Sequence, residues 1–288
     1  MTRSARTRRA RFAESAARLV TGALAFSVIA VAVYVLVYIA SRGIGAIDWG
    51  FLTGVPRDQG REGGIFPAIV GTLLVVGTTA GLTLPIGIMA GIYLAEFAPR
   101  NTMTRVIRLS ITNMAGVPSI VYGLFGLAAF VLLAGLGRSI IAAALTLTCM
   151  TLPVVITATE EALRQIPQDL RQASLALGAT KLRTIGRIVL PAAAPGIITG
   201  SILGLARAAG ETAPILFTGA VFQMRQIPDS PLSQFMSLPY HIYAQVTSVP
   251  NWSEDLVWGT ALILVAGVSF VSVMAAIWRS VQRKKVTW

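Results

Sequence analysis

The chain has 288 residues, of which 55% are hydrophobic and only 12% are charged, with a net charge of +12 and a mean hydropathy of +0.71. An ordinary soluble domain carries about 25% charged residues, so this composition excludes that class and indicates a single membrane domain. The one cysteine, Cys149, excludes an internal disulfide and a cysteine-based metal site, and we expect it to be a small buried residue.

A basic tail precedes the first apolar run. Residues 1–18 contain six arginines, and residues 19–40 form an uncharged run of 22 residues. The apolar region of a cleaved signal peptide has only about 7–15 residues, whereas about 20 suffice to span a bilayer. We therefore predict a retained first transmembrane helix, with residues 1–18 as a cytoplasmic tail and residues 19–288 as the transmembrane domain.

Five further apolar segments are long enough to cross a bilayer. The third predicted span is interrupted at Gly116-Val117-Pro118, and the fifth by a charged break from Arg207 to Pro214. The six predicted spans are residues 19–40, 65–95, 109–137, 139–159, 192–224 and 256–278. Together they predict an all-α, polytopic membrane protein with about six transmembrane helices.

Six spans put both termini on the same side of the membrane. If that side is the cytoplasm, the cytoplasmic segments contain 18 Lys and Arg residues and the outer loops contain five. This asymmetry follows the positive-inside rule. It also accounts for most of the net charge, so nucleic-acid binding is not needed to explain the basic composition.

A polar stretch, Glu160 to Pro191, separates the fourth and fifth spans and is too charged to cross a bilayer. Asp169 is predicted to cap a first helix, and Gly178 to end it in a left-handed turn. Thr180 is predicted to cap a second short helix that has Pro191 near its end. The result is a helix-turn-helix loop whose basic side chains surround a few apolar ones. Such a loop either only connects two spans or docks a soluble partner, and its exposed apolar residues favour docking.

Arg207 and Glu211 lie four residues apart in an otherwise apolar segment, so on a helix they share a face and can pair. Gly210 and Pro214 weaken the helix there, and a broken helix directs a positive dipole end into a cavity. An arginine binds a tetrahedral oxyanion through two parallel hydrogen bonds. Two interpretations stay open: the pair locks two helices together, or it lines a pathway for an anion in which Glu211 holds Arg207 until the substrate passes.

Several sequence patterns of enzymes are absent. The sequence has no Gly-x4-Gly-Lys-Ser/Thr phosphate loop, no cluster of His, Cys and carboxylates at metal spacing, and no nucleophile elbow. Its only histidine, His241, is interpreted as an interfacial or packed residue rather than a ligand. We therefore predict no metal, no cofactor and no enzymatic activity for this chain.

The spacing Ala173-x4-Gly178-x9-Ile188-x-Leu190-Pro191 resembles the EAA loop of ABC-importer permeases. In that family the loop docks into a groove on the ATPase subunit. One departure is Gln172, where the family usually has Glu. The resemblance implies a set of docking residues in this chain: Gln172, Ala173, Leu175, Gly178, Ile188 and Pro191.

Further motifs cover nearly the whole chain after the first span and resemble the phosphate ABC-importer permeases of the PstA type. The motifs are Phe51–Gly54, Gly63–Ile69, Ala90–Phe97, Gly116–Gly123 and Gly210–Pro214. The resemblance implies a MetI-like permease in a bacterial inner membrane. Within it, the predicted residues of the substrate pathway are Arg207, Glu211 and Thr212. It also implies a PstC-like sister permease, a pair of PstB-like ATPases, a PstS-like extracytoplasmic phosphate-binding protein and inorganic phosphate as the substrate.

Two other functions remain open at this point. The chain could be a permease of the same fold for another oxyanion or solute, because the residues do not define which groups bind the substrate. It could also be an ion-coupled secondary transporter that needs no ATPase, although the Glu160–Pro191 loop argues against it. A role in phosphate signalling is compatible with transport as a secondary function.

Overall fold

The computed structural model describes residues 3–285, which form helices joined by short loops and one small hairpin. Residues 1–2 and 286–288, at the two predicted cytoplasmic ends, lie outside the described residues. The helices are α1 (Arg3–Gly43), α2 (Trp49–Thr53), α3 (Phe66–Ile92), α4 (Thr102–Ala115), α5 (Ser119–Gly126), α6 (Ile140–Arg164), α7 (Gln168–Ala176), α8 (Lys181–Thr184), α9 (Leu190–Ala209), α10 (Ala213–Thr218), α11 (Leu238–Ser248) and α12 (Glu254–Lys285). The hairpin pairs β1 (Pro56–Arg57) with β2 (Glu62–Gly63) in antiparallel register.

Within the described residues, five helical segments are long and apolar enough to cross a membrane: Glu14–Ala46, Phe66–Phe97, Ile140–Arg164, Lys181–Ala209 and Glu254–Val281. A sixth crossing is possible if α4 and the segment Ser119–Leu133 count as one span. The predicted all-α, polytopic architecture is therefore confirmed.

The predicted third span, 109–137, differs from the observed helices. It combines part of α4 with the segment Ser119–Leu133, and these two helices are bent by 102° relative to each other. Pro118 precedes α5 with ψ of 139°, an extended conformation, and it has no backbone N–H to continue a helical ladder. The chain therefore turns sharply at this proline instead of crossing straight through.

The predicted fifth span, 192–224, also differs. Its helix begins earlier, at Lys181, and ends earlier, at Ala209. A π-helical turn at Ile185–Val189 widens the backbone ladder just before Pro191, so the helix continues through that proline instead of ending near it. Between Gly210 and the start of α11, the chain forms only the short helix α10, and residues 219–237 contain no helix.

Helix α6 is the centre of the bundle and packs against α3, α4, α5, α9 and α10. Thr83 on α3 and Thr148 on α6 share a buried hydrogen bond of 3.2 Å between their hydroxyls. Towards the C-terminal ends of the same two helices, the backbone of Gly91 approaches Thr159 so closely that an added Cβ would lie 2.6 Å from the threonine Cβ. This close approach holds α3 and α6 together near their C-terminal ends, and the Glu160–Pro191 loop begins at that end of α6.

Helix α1 is the least integrated element, because its apolar residues are exposed along most of its length. Near its C-terminal end, Tyr38 packs edge-to-face on Trp258 of α12 with ring centroids 5.3 Å apart. Gly43 lies against the backbone of Trp258 as well. The apolar surface of α1 therefore faces lipid or another chain.

Gly91→Ala is expected to destabilise the protein, whereas Gly81→Ala on the same helix is not. Among the described residues, nothing lies within 4 Å of a Cβ added at Gly81. Alanine favours a helix by about 1 kcal/mol over glycine at both positions, but overpacking at Gly91 costs about 1–3 kcal/mol. Thermal unfolding of the purified protein in detergent should show a lower midpoint only for Gly91→Ala. Equal midpoints for the two variants would contradict the observed α3–α6 contact.

Candidate functional site

The Glu160–Pro191 segment folds as a helix-turn-helix, as predicted. Gly178 has φ of +78°, in the left-handed region, and its N–H donates to the Leu175 carbonyl at 2.9 Å. The Thr180 hydroxyl accepts from the N–H of Arg183 at 3.4 Å and caps α8.

The prediction that Asp169 caps the first helix is wrong: Pro167 occupies the N-cap. Asp169 lies in the first turn, where a carboxylate still stabilises the positive end of the helix dipole.

A largely buried ion pair fixes this loop to the helix bundle. Arg171 on α7 donates to the Glu96 carboxylate at the end of the α3 segment, at 2.7 Å. The same guanidinium donates to the carbonyls of Leu163 and Ile166 at the end of α6. Sequence reasoning missed this contact, although a signal exists: Glu96 is the only carboxylate between residues 62 and 160. The loop is thereby held to two transmembrane helices at once.

The outer surface of the loop carries exposed apolar side chains. Leu175, Leu177 and Leu182 are 49%, 89% and 72% exposed. Of the other predicted docking residues, Gln172, Ala173, Gly178 and Pro191 are exposed and Ile188 is half-buried. Beneath this surface Ser174 and Thr184 share a buried hydroxyl hydrogen bond of 2.9 Å, which joins α7 to α8. The structure thus presents three leucines to solvent on a braced frame.

The second candidate site lies where α9 breaks. Arg207 is in the last turn of α9, Gly210 is its C-cap, and Thr212 precedes α10 without a side-chain capping bond. The Nε of Arg207 lies 3.4 Å from Oε1 of Glu211. The Arg207 side chain is 58% exposed and the Glu211 side chain only 17%. The predicted pairing and helix break are both present, with the cation facing outward and the carboxylate facing the protein.

The depth of Arg207 follows from how α9 packs on α6. An added Cβ at Gly196 or Gly200 would lie against the Cβ of Ala162 or Ala158, respectively. Gly204 lies against Thr151, Val154 and Val155 in the same way. The helices are antiparallel, so Arg207, one turn beyond Gly204, lies near the middle of α6. Arg207 is therefore level with the middle of a helix that is long and apolar enough to span a membrane.

Helix α10 is held from two sides. Gly123 on α5 has no room for a side chain, since an added Cβ would lie 2.8 Å from the Ala213 carbonyl oxygen. The motifs Gly116–Gly123 and Gly210–Pro214 therefore touch. At the other end Arg138 donates to the carbonyls of Leu216 and Ala220, at 3.1 and 2.9 Å. Sequence reasoning did not assign this role, although Arg138 is the only charged residue between positions 108 and 160.

His241 is a packed residue on α11. Its ring stacks on Phe222 with centroids 6.0 Å apart, and only 2% of the residue is exposed. Within the described part of the chain, neither ring nitrogen has a hydrogen-bond partner, and no group of three His, Cys, Asp or Glu side chains could hold a metal ion. Burial lowers the pKa of His241 to about 4, although a backbone group of Phe222 partly opposes the shift.

The fold and these sites define a class: a polytopic helical membrane protein with a braced helix-turn-helix loop and a broken helix that carries an ion pair level with the middle of α6. A family model described as "Binding-protein-dependent transport system inner membrane component" matches residues 87–287. The chain belongs to this family. It is a MetI-type permease subunit of an ABC importer, which leaves the ion-coupled secondary transporter without support.

Two relatives agree with this assignment, and one solved structure shares the fold. Phosphate transport system permease protein PstA 1 from Mycobacterium tuberculosis is 40% identical over 234 residues, which cover 81% of this chain and 76% of the relative. The probable ABC transporter permease protein YqgI from Bacillus subtilis is 36% identical over 270 residues, covering 89% and 91%. The crystal structure of a bacterial ABC transporter involved in alginate import matches with a TM-score of 0.63 at 12% identity, over 96% of this chain and 99% of that chain. The resemblance to PstA-type permeases is confirmed.

Stability is expected to fall as the pH drops from about 6.5 to about 4. The unfolded chain protonates its histidine near pH 6.5, whereas folded His241 stays neutral until about pH 4. The unfolded state therefore binds an extra proton in this window, and the folded state loses roughly 3 kcal/mol of relative stability by pH 4.

The variant His241→Phe isolates this effect, because it keeps an aromatic ring on Phe222 and cannot titrate. His241 is the only histidine, so thermal unfolding midpoints between pH 7 and 5.5 should decline for the wild type and stay flatter for the variant. Parallel profiles for the two proteins would show that His241 is not buried in its neutral form.

Proposed function

We propose that this chain is the permease subunit of an ATP-driven importer for inorganic phosphate and forms one half of its translocation pathway. The observation that carries the proposal is the Arg207–Glu211 pair at a helix break level with the middle of α6. A relative named as a phosphate transport permease, PstA 1, is 40% identical over most of the chain and supports the substrate. The partners are a PstC-like sister permease, a pair of PstB-like ATPases and a PstS-like binding protein.

The proposed orientation places the Glu160–Pro191 loop and both termini in the cytoplasm. The support is the distribution of Lys and Arg, 18 of which lie in the segments on that side. The loop and the start of α4 lie at the same end of the bundle, since Arg171 and Arg108 both bind carboxylates near the ends of α3 and α6. This common end is the natural surface for ATPase subunits.

Coupling between ATP hydrolysis and the pathway would run along one helix. The segment Lys181–Ala209 has 29 residues, or about 43 Å of α-helix, and joins the docking loop directly to Arg207. A partner groove that closes around Leu175, Leu177 and Leu182 would move this helix as a rigid lever, because α7 and α8 are tied together beneath the leucines. The break at Gly210 is where that movement would alter access to the cavity.

At the pathway, Arg207 supplies the positive charge that a phosphate ion needs in a medium of low dielectric constant. Its planar guanidinium donates two parallel hydrogen bonds to a tetrahedral oxyanion. Glu211 holds the guanidinium in place without substrate and keeps the resting site close to neutral. The long distance of 3.4 Å between the two groups is compatible with a partner that is easily exchanged.

Leu175→Asp is expected to abolish ATPase recruitment while the protein still inserts. An acid on this surface would leave an unpaired charge in a docked interface, which costs several kcal/mol. Gly178→Glu should act similarly, because a side chain at φ of +78° is strained. Co-purification of the ATPase and phosphate uptake in proteoliposomes measure the effect.

Ser280→Asp is the matched control, since it adds the same charge at an exposed position near the end of α12. It should leave both recruitment and uptake intact. If Leu175→Asp and Gly178→Glu behave like this control, the loop is a connector and not a docking element.

Arg207→Gln is expected to reduce phosphate uptake by about tenfold or more although the complex still assembles, because a charge-assisted anion contact is lost. Arg207→Lys should restore only part of the activity, since lysine lacks the planar fork. The deciding variant is Arg207→Leu with Glu211→Leu. An interhelical lock tolerates an apolar pair at little cost, whereas an anion pathway does not.

The exposed pair Arg42–Glu254, with atoms 3.5 Å apart, provides a matched control when both residues are replaced by leucine. Phosphate uptake should persist in this control variant and fail in the Arg207/Glu211 double variant. Preserved uptake in the latter would end the pathway hypothesis. Competition with sulfate in the same assay distinguishes a phosphate permease from one for another oxyanion.

A further inference from the structure

A second basic site lies at the end of the bundle that carries the docking loop. A cavity of about 740 Å³ opens between the end of the α3 segment, the start of α4 and the end of α6. Four arginines line it: Arg100, Arg105, Arg108 and Arg164. None of the described residues that line it is a carboxylate. This volume is within the range of about 300–1,000 Å³ typical of small-molecule sites. We call it the arginine cavity.

One carboxylate balances only part of this charge. Glu160, on α6 behind the cavity, binds both Arg108 and Arg164 and is itself mostly buried. Arg100 and Arg105 have no ion-pair partner among the described residues, and both are exposed. Four guanidinium groups thus share one carboxylate. Such an excess of positive charge in a concave surface attracts an anion.

The position of α4 indicates where such an anion would come from. Met103, Val106 and Ile107 lie at helical spacing on one face of α4, and all three are exposed. Arg105 lies on the opposite face. A helix with an exposed apolar face and a basic face lies in the headgroup region of a membrane. The sharp bend between α4 and α5 agrees with a helix along the membrane surface followed by one that enters it.

We propose that the arginine cavity binds the phosphate group of an anionic membrane lipid. The arginines provide several donors for the phosphate oxygens, and the apolar face of α4 lies alongside the acyl chains. The lipid would bridge α4, α6 and the end of α3, next to the Arg171–Glu96 anchor of the docking loop. The inference rests on the proposed function only for assigning this end of the bundle to the cytoplasmic leaflet.

The test is lipid-dependent stabilisation of the purified full-length protein in a neutral detergent. Short-chain phosphatidylglycerol should raise the thermal midpoint in a concentration-dependent way, because a ligand that binds only the folded state stabilises it. Phosphatidylcholine with the same chains should not. Arg100→Gln with Arg105→Gln should weaken the apparent affinity for phosphatidylglycerol by about tenfold. Arg100→Lys with Arg105→Lys should retain part of it.

Arg18→Gln with Arg279→Gln is the matched control, since it removes two exposed arginines from elsewhere in the chain. The apparent affinity of this control variant for phosphatidylglycerol should stay within about twofold of the wild-type value, because distant exposed charges are screened. If Arg100→Gln with Arg105→Gln does not purify as a monodisperse protein, Arg100→Gln alone carries the comparison, as Arg100 precedes α4 and lies outside any helix.

Four results would overturn the proposal. The first is equal stabilisation by both lipids, and the second is an equal loss of phosphatidylglycerol affinity in the control variant. The third is equal stabilisation by inorganic phosphate at the same concentrations. The fourth is intact lipid binding with weakened ATPase co-purification in the cavity variants. The third would assign the cavity to a free anion and the fourth to a subunit contact. Lipid binding without phosphate uptake would refute only the proposed substrate, so the two proposals fail separately.

Discussion

The buried ion pair between Arg171 and Glu96 is the interaction on which the rest of the structure depends. It joins the Glu160–Pro191 loop to the end of the α3 segment, and the same guanidinium binds the carbonyls of Leu163 and Ile166, at and just beyond the end of α6. The arginine therefore adds side-chain donors to the backbone where α6 ends. Loss of Glu96 would leave a mostly buried cation unpaired, a change that typically costs about 3–5 kcal/mol. The loop is thereby a fixed extension of the bundle instead of a flexible connection.

Under the proposed coupling, the fixed loop would let the continuous helix Lys181–Ala209 act as a lever. If the helix began in a mobile loop, a movement of the loop would not be transmitted to the far end of the helix. Here the start is capped by Thr180, tied to α7 through Ser174 and Thr184, and packed along α6 as far as Gly204. The other end stops at a break whose far side, α10, is held by Arg138. The free joint therefore lies between Ala209 and Ala213, beside the Arg207–Glu211 pair.

Residues that are close in sequence predicted the turns and helix breaks of this chain better than they predicted where the membrane spans begin and end. The left-handed turn at Gly178, the cap at Thr180 and the break at Gly210 all depend on residues within a few positions, and each is present in the structure. One local prediction, the cap at Asp169, was wrong, and the larger errors occurred where a wider context decides. Pro191 does not end its helix, because the preceding π-helical turn accommodates it, and residues 109–137 are not one span, because α4 turns by 102° at Pro118.

The anchors of both candidate sites were out of reach of the sequence for a different reason. Arg171 and Glu96 are separated by 75 residues, and Arg138 reaches carbonyls 78 and 82 residues away. No periodicity connects such positions. The useful signal was rarity: Arg138 is the only charged residue between positions 108 and 160, and Glu96 is the only carboxylate between 62 and 160. Because charged groups are costly in a membrane, such isolated residues are the ones to examine for contacts in three dimensions.

The exposure of Arg207 extends this reasoning beyond the single chain. Its side chain is 58% exposed at the depth of the middle of α6, and Leu203, one turn earlier on α9, is 55% exposed. A leucine there is compatible with lipid, but an arginine facing hydrocarbon costs at least about 2.5–3.5 kcal/mol. Glu211 offsets part of that cost and itself faces inward. Under the proposed function, the outward side of the guanidinium would face water or a second protein surface, and this face of α9 would be half of an interface or of an aqueous cavity.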